Sequence, residues 1–116
     1  MSEWVEAGKS SELGDGSIKE ADVHGRQILI ARAGDRYFAA DNRCPHMGAR
    51  LSSGSLEGTI VTCPRHGSQF DLRDGCVVRW LKAGRAVSLV GRLLKSPRPL
   101  TTYPVRLDGD SILVEI

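Results

Sequence analysis

The sequence has little of what membrane or secreted proteins need. No apolar stretch approaches the roughly 20 residues that cross a bilayer. The first four residues lack a basic segment followed by an apolar run, so we expect no signal peptide. Only three cysteines occur among 116 residues. We therefore expect a cytoplasmic protein, in which cysteines act as thiols or metal ligands rather than as disulfide partners.

The sequence also lacks the charge and length of a nucleic-acid-binding or multidomain protein. Its formal net charge of +2 is too small to indicate binding to nucleic acid. A length of 116 residues indicates one domain, residues 1–116. Hydrophobic residues make up 41% and charged residues 26%, which is ordinary for a globular domain. We expect a monomer that contacts neither nucleic acid nor a membrane.

Motifs for independent catalysis are missing as well. The sequence contains no P-loop, no Gly-x-Gly-x-x-Gly segment after a strand, and no recognisable Ser/His/Asp set. We therefore predict that the protein catalyses no bond-making reaction on its own.

What is present is a series of short strands separated by turn residues. Runs of β-branched and aromatic residues bounded by glycine-containing turns predict an all-β fold with antiparallel hairpins. The predicted strands are Ser17–Val23, Gln27–Arg32, Tyr37–Asp41, Phe70–Leu72, Thr102–Leu107 and Ser111–Ile116.

The segment Trp80–Lys95 departs from this pattern. Its apolar residues recur at helical spacings, but Gly84 and Gly91 each weaken a helix by about 1 kcal/mol. A short amphipathic helix and an irregular loop both stay open. The region Trp80–Leu100 carries five basic and no acidic residues, which fits either a solvated loop or a contact surface for an acidic partner.

Two short segments with the same design carry the candidate site. They are residues 44–48 (CPHMG) and 63–67 (CPRHG). Each has a cysteine, a proline directly after it, and a histidine followed at once or nearly so by glycine. The proline stiffens the chain after the thiolate, and the glycine lets the backbone turn sharply or approach a bound group. The four candidate ligands are Cys44, His46, Cys63 and His66.

Two cysteines and two histidines suit one [2Fe–2S] cluster of mixed ligation. In such a cluster two thiolates bind one iron and two imidazoles bind the other. Two loops that each supply one ligand of each kind can hold the cluster from opposite sides. A cluster with four cysteine ligands is excluded, because the chain has only three cysteines.

Two other interpretations of these residues stay open. The same ligand types bind zinc in structural Cys₂His₂ sites, although such sites usually pair cysteine with cysteine and histidine with histidine along the chain. The residues could also be ordinary buried cysteines and surface histidines. The matched Cys-Pro segments favour the cluster over both.

The two segments, together with residues 56–58 (LEG), 68–71 (SQFD) and 102–106 (TYPVR), resemble the Rieske ferredoxin family. The resemblance is to the ferredoxin components of bacterial aromatic-ring dioxygenases and extends over residues 4–116. It implies a fold of antiparallel sheets in which a small cluster-binding subdomain, residues 42–75, is inserted in a base domain, residues 1–41 and 76–116. It further implies a one-electron carrier that connects a reductase with a terminal oxygenase.

The resemblance leaves one alternative function. Small subunits of larger reductases, such as assimilatory nitrite reductase, share this fold, and some have lost the ligands. The presence of all four candidate ligands favours a redox role here. An obligate subunit would also expose a large apolar surface.

We predict a reduction potential near the low end of the Rieske range, roughly −150 mV rather than +300 mV. Membrane-bound Rieske proteins carry extra cysteines where this sequence has Ala49 and Arg65, and a tyrosine that donates to sulfur where it has Phe70. With fewer hydrogen-bond donors to its sulfur atoms, the reduced and more negative cluster is stabilised less, which lowers the potential. The Ser68 hydroxyl is one remaining donor and raises the potential somewhat. Redox titration of the purified protein measures it, and a potential above about +100 mV would contradict the prediction.

Overall fold

The computed structural model describes residues 3–44, 50–64, 67–79 and 99–116. These residues form short strands and two single-turn 3₁₀ helices, Ser10–Glu12 and Leu51–Ser53. No helix among them is long and apolar enough to pass through a bilayer. The strands are β1 (Trp4–Lys9), β2 (Ile18–Val23), β3 (Arg26–Ala33), β4 (Arg36–Asp41), β5 (Ser55–Glu57), β6 (Ile60–Thr62), β7 (Gln69–Asp71), β8 (Val77–Arg79), β9 (Thr102–Tyr103), β10 (Val105–Asp108) and β11 (Ser111–Glu115).

The strands form three antiparallel sheets, which confirms the predicted all-β fold. Sheet A has the strand order β1-β11-β10, sheet B the order β2-β3-β4-β9, and sheet C the order β5-β6-β7-β8. Sheet C lies between β4 and β9 in the sequence, so it is an insertion into sheet B. Its last strand, β8, pairs with β7. Sheet C therefore extends past Gly75, the predicted end of the subdomain.

Sheet B is the central layer, and both of its faces are buried. Along β3, Ile28 and Ile30 belong to one apolar core, whereas Leu29 and Ala31 belong to the other. Burial on both faces explains why these four consecutive positions are all apolar rather than alternating with polar residues. Each buried Ile or Leu contributes about 1.5–3 kcal/mol relative to exposure.

The two cores place sheet B between sheets A and C. The core toward sheet A contains Leu13, Val23, Ile28, Ile30, Ala39, Ile112 and Val114. The core toward sheet C contains Leu29, Ala31, Phe38, Ala40, Cys44, Leu51, Val61, Cys63, Phe70, Leu72 and Leu100.

One predicted strand is wrong in an informative way. The segment Thr102–Leu107 was predicted as a single strand, but it is two strands in two different sheets. Thr102 and Tyr103 pair with β4, and the residues after Pro104 pair with β11. Proline has no N–H to donate to a ladder, so the chain leaves sheet B at Pro104 and enters sheet A. The segment 80–95, with its open choice between helix and loop, lies outside the described residues.

The turn between β7 and β8 depends on Asp71 and Gly75. The Asp71 carboxylate accepts hydrogen bonds from the guanidinium of Arg73 (2.7 Å), the Arg73 backbone N–H (3.0 Å) and the Thr59 hydroxyl (3.0 Å). Chiefly because of the Arg73 side chain, the pKa of Asp71 is lowered to about 2. The Gly75 N–H donates to the Asp71 carbonyl (2.7 Å), and the Leu100 N–H donates to the Gly75 carbonyl (2.8 Å).

We predict that Asp71 makes the protein more stable at neutral pH than in acid. A lowered pKa in the folded state means that this contribution is present above about pH 4 and is lost as the pH falls toward about 2. It amounts to about 1–2 kcal/mol, because Arg73 is largely exposed and solvent screens the pair. In denaturant unfolding, the stability difference between wild type and Asp71→Asn should shrink by about half between about pH 6 and pH 3. The exposed Asp35→Asn is the control, and a difference independent of pH would contradict the prediction.

We also predict that Gly75 tolerates no side chain. Gly75 and Gly58 both have positive φ, +82° and +61°, so alanine at either position meets a similar backbone cost of about 1–2 kcal/mol. A Cβ atom at Gly75 would overlap the carbonyl oxygen of Leu100, whereas a Cβ atom at Gly58 would meet no atom within 4 Å. Gly75→Ala should therefore lower the free energy of unfolding by about 1–3 kcal/mol more than Gly58→Ala. Equal losses in denaturant titrations would refute this.

Candidate metal centre

Cys44 follows directly from the central sheet. β4 ends at Asp41, whose N–H donates to the Thr101 carbonyl (2.9 Å), and the next N–H, of Asn42, donates to the Gln27 carbonyl (3.2 Å). The chain is therefore hydrogen-bonded to both neighbouring segments until two residues before Cys44. The Cys44 side chain is buried in the core between sheets B and C.

The first candidate loop is closed at its base by Asn42. The Asn42 side-chain amide donates to the Ser52 hydroxyl (2.8 Å), and its carbonyl oxygen accepts the Ser52 backbone N–H (2.7 Å). Asn42 is fully buried, as is the neighbouring Leu51. A buried amide that loses its hydrogen-bond partners costs about 1–3 kcal/mol. The Asn42–Ser52 pair therefore strongly favours one distance between the two ends of the loop. No local pattern in the sequence predicts this contact.

The second candidate loop is closed by its own backbone. Cys63 follows β6, its N–H donates to the Ser68 carbonyl (2.7 Å), and its carbonyl accepts the Gly67 N–H (3.1 Å). Gly67 has a φ of +72°, a conformation that glycine adopts without the steric cost other residues meet. This explains the glycine after His66 in the motif. The loop thus returns to β7 with Cys63 at its start.

The structure brings the two predicted cysteine ligands into one core. Cys44 and Cys63 are each 2% exposed and share the apolar cluster between sheets B and C. Cys76 is exposed, and the nearby Asp74 raises the pKa of its thiol. The other two predicted ligands, His46 and His66, lie outside the described residues, as does the basic region from Trp80 to Arg98.

The donor chemistry of the two buried cysteines fits an iron–sulfur group. Thiolates are the protein ligands that such clusters use, and a thiolate surrounded by apolar side chains needs a compensating positive charge. A bound iron would supply that charge. Cys44 and Cys63 are therefore the described residues that would hold such a group.

The similarity of this chain to known proteins extends over nearly its whole length. Residues 3–104 match the family described as the Rieske [2Fe-2S] domain. The ferredoxin component of the naphthalene 1,2-dioxygenase system of Pseudomonas aeruginosa is 28% identical over 115 residues, which cover 97% of this chain and 95% of that protein. The ferredoxin component of biphenyl 2,3-dioxygenase of Rhodococcus jostii is 31% identical over 107 residues, which cover 92% of this chain and 87% of that protein.

A solved structure shares the fold. It is described as a complex of reduced oxygenase and oxidized ferredoxin in carbazole 1,9a-dioxygenase, and one of its chains superposes with a TM-score of 0.76 at 25% identity. The superposition covers 96% of this chain and 91% of that chain. The protein therefore belongs to the Rieske [2Fe-2S] domain family, as the family match, the two relatives and this superposition show together.

Proposed function

We propose that this protein is a one-electron carrier in which Cys44, His46, Cys63 and His66 hold one [2Fe–2S] cluster. It would accept electrons from a reductase and pass them to a terminal oxygenase. The observation that carries the proposal is the burial of Cys44 and Cys63 in one core, each at the start of a loop with the same Cys-Pro design.

The names of the relatives support the partners in this proposal. Two of them are ferredoxin components of dioxygenase systems, and a third chain comes from a complex of an oxygenase with a ferredoxin. This chain matches nearly the full length of all three. We extend their role to it, with a reductase as the electron donor, because a carrier has to be reduced again after each transfer.

The chain's own residues would bind the cluster and keep water away from part of it. When bound, a cluster of this kind takes up and releases one electron at a time. Cys44 and Cys63 would bind one iron, and their apolar surroundings exclude water from the sulfur atoms. His46 and His66 would bind the second iron, as is usual in this family. The Asn42–Ser52 pair and the Cys63–Ser68 hydrogen bond keep the two loops closed at their bases.

The described surface favours a carrier over an obligate subunit of a larger reductase. Among the described residues, the exposed large apolar side chains are Val78 in sheet C and Leu107 in sheet A. They lie in different sheets and form no extended apolar surface of the kind that marks an obligate interface. We therefore propose a monomer that serves as an electron-transfer component and not as an enzyme itself.

The proposal also covers the domain division and the compartment. Residues 42–75, extended by the strand β8 that pairs with β7, would form the cluster-binding subdomain, and residues 1–41 with the remainder of 76–116 would form the base. The cytoplasm suits the protein, because a reducing compartment keeps Cys44 and Cys63 reduced and therefore able to bind a metal.

Single substitutions of the four proposed ligands test the site. We expect Cys44→Ser, Cys63→Ser, His46→Ala and His66→Ala each to abolish the visible colour and to reduce iron and sulfide well below the about two of each per chain expected for the wild type. Cys76→Ser is the matched control, since Cys76 is exposed, and it should keep full iron and sulfide. Far-UV circular dichroism identifies any variant that fails to fold.

Two results would contradict the proposal. If the wild-type protein were colourless and held one zinc ion, it would be a structural zinc module and not an electron carrier. If Cys76→Ser lost its iron while Cys44→Ser or Cys63→Ser kept it, the proposed assignment of the ligands would be wrong.

A further inference from the structure

An open cleft of about 360 Å³ lies beside the first cluster loop. Its walls come from the start of β3, the end of β4 and the end of β9. The lining residues are Gly25, Arg26, Gln27, Asp41, Arg43 and Tyr103. Arg43 directly precedes Cys44, so the cleft adjoins the segment that carries a proposed cluster ligand.

The cleft is positively charged. The Tyr103 hydroxyl donates to the Asp41 carboxylate (2.5 Å), and Arg26 Nη1 donates to the same hydroxyl (3.2 Å). Burial is the main cause of a raised pKa for Tyr103, so its hydroxyl stays neutral at physiological pH. Two guanidinium groups, of Arg26 and Arg43, therefore oppose one carboxylate, which is already engaged by Tyr103.

Two polar groups of the residues that line the cleft have no partner in the part of the chain that the structure describes. Among the described residues, the Arg43 guanidinium forms no ion pair and no hydrogen bond. The Oε1 atom of Gln27 is buried without a hydrogen-bond partner, although most buried polar groups in native structures have one. The cleft thus offers guanidinium donors to a carboxylate.

We propose that this cleft is a docking point for an acidic segment of a protein redox partner, with a carboxylate side chain entering between Arg26 and Arg43. The inference rests on the proposed electron-carrier function. An acidic peptide segment supplies the side-chain carboxylate that the two guanidinium groups can bind. Since Arg43 adjoins Cys44, docking here would bring the partner close to the cluster loop, where complementary charge accelerates encounter.

The test measures how fast the dithionite-reduced holoprotein is oxidised by two small reagents of opposite charge. Ferricyanide is a trianion and hexaammineruthenium(III) is a trication. Each takes one electron, so that its metal is reduced while one ferrous iron of the cluster becomes ferric. Stopped-flow absorbance at low ionic strength gives the rates for wild type, Arg43→Gln and Arg26→Gln. The reduction potential of each variant is measured as well, so that changes in driving force are accounted for.

Arg36→Gln is the matched control. Arg36 is exposed like Arg43 and carries the same charge, but it lies at the opposite end of the β3–β4 hairpin. Arg43→Gln and Arg26→Gln should each slow oxidation by ferricyanide by about threefold and accelerate oxidation by the ruthenium complex. Arg36→Gln should leave both rates nearly unchanged.

A capped hexaglutamate peptide then tests occupancy of the cleft. The peptide should slow the oxidation of the wild type by ferricyanide and should not slow that of Arg43→Gln. Equal effects of Arg43→Gln and Arg36→Gln on both reagents would overturn the docking proposal. Equal protection by acetate at the same carboxylate concentration would also overturn it, because the cleft would then bind free anions. A wild-type protein that dithionite cannot reduce would instead overturn the electron-carrier function itself.

Discussion

The burial of two cysteines in one apolar layer is the constraint on which the rest of this structure depends. Cys44 arrives from the central sheet and Cys63 from the inserted sheet, and both lie in the core where these sheets pack. A thiolate in such surroundings needs a compensating cation. The packing of sheet C on sheet B therefore forms part of the apolar core and brings the two proposed cysteine ligands into it.

The three-layer arrangement encloses the core that contains these cysteines between sheets B and C. Sheet B buries one face against sheet A and the other against sheet C, which accounts for the unbroken apolar run 28–31. The loops that leave this layer are then closed by polar contacts at their bases, the Asn42 side chain for the first and the Cys63 and Gly67 backbone for the second. Beside the first loop, the Arg43 guanidinium forms no ion pair with any residue that the structure describes.

Local sequence patterns predict much of this architecture, but they do not predict contacts between residues that are distant in the sequence. The strands β2, β3, β4 and β11 and the paired Cys-Pro segments could be predicted, because each is encoded in a few consecutive residues. The split at Pro104 was missed, since only the tertiary structure shows that the chain changes sheets there. The three-residue strands β5 and β6 are too short for a periodic signal, and the Asn42–Ser52 pair joins residues ten positions apart.

The ligation of one cluster by two thiolates and two imidazoles is the central claim, and electron–nuclear double resonance tests it most directly. The protein is labelled with ¹⁵N in histidine alone and reduced with dithionite. The chain has three histidines, and His24 is an exposed residue beside Glu3, outside both ligand loops. We expect strong coupling of the cluster spin to nitrogens from two distinct imidazoles. A reduced cluster without strongly coupled nitrogen, or a sample without any cluster signal, would contradict it.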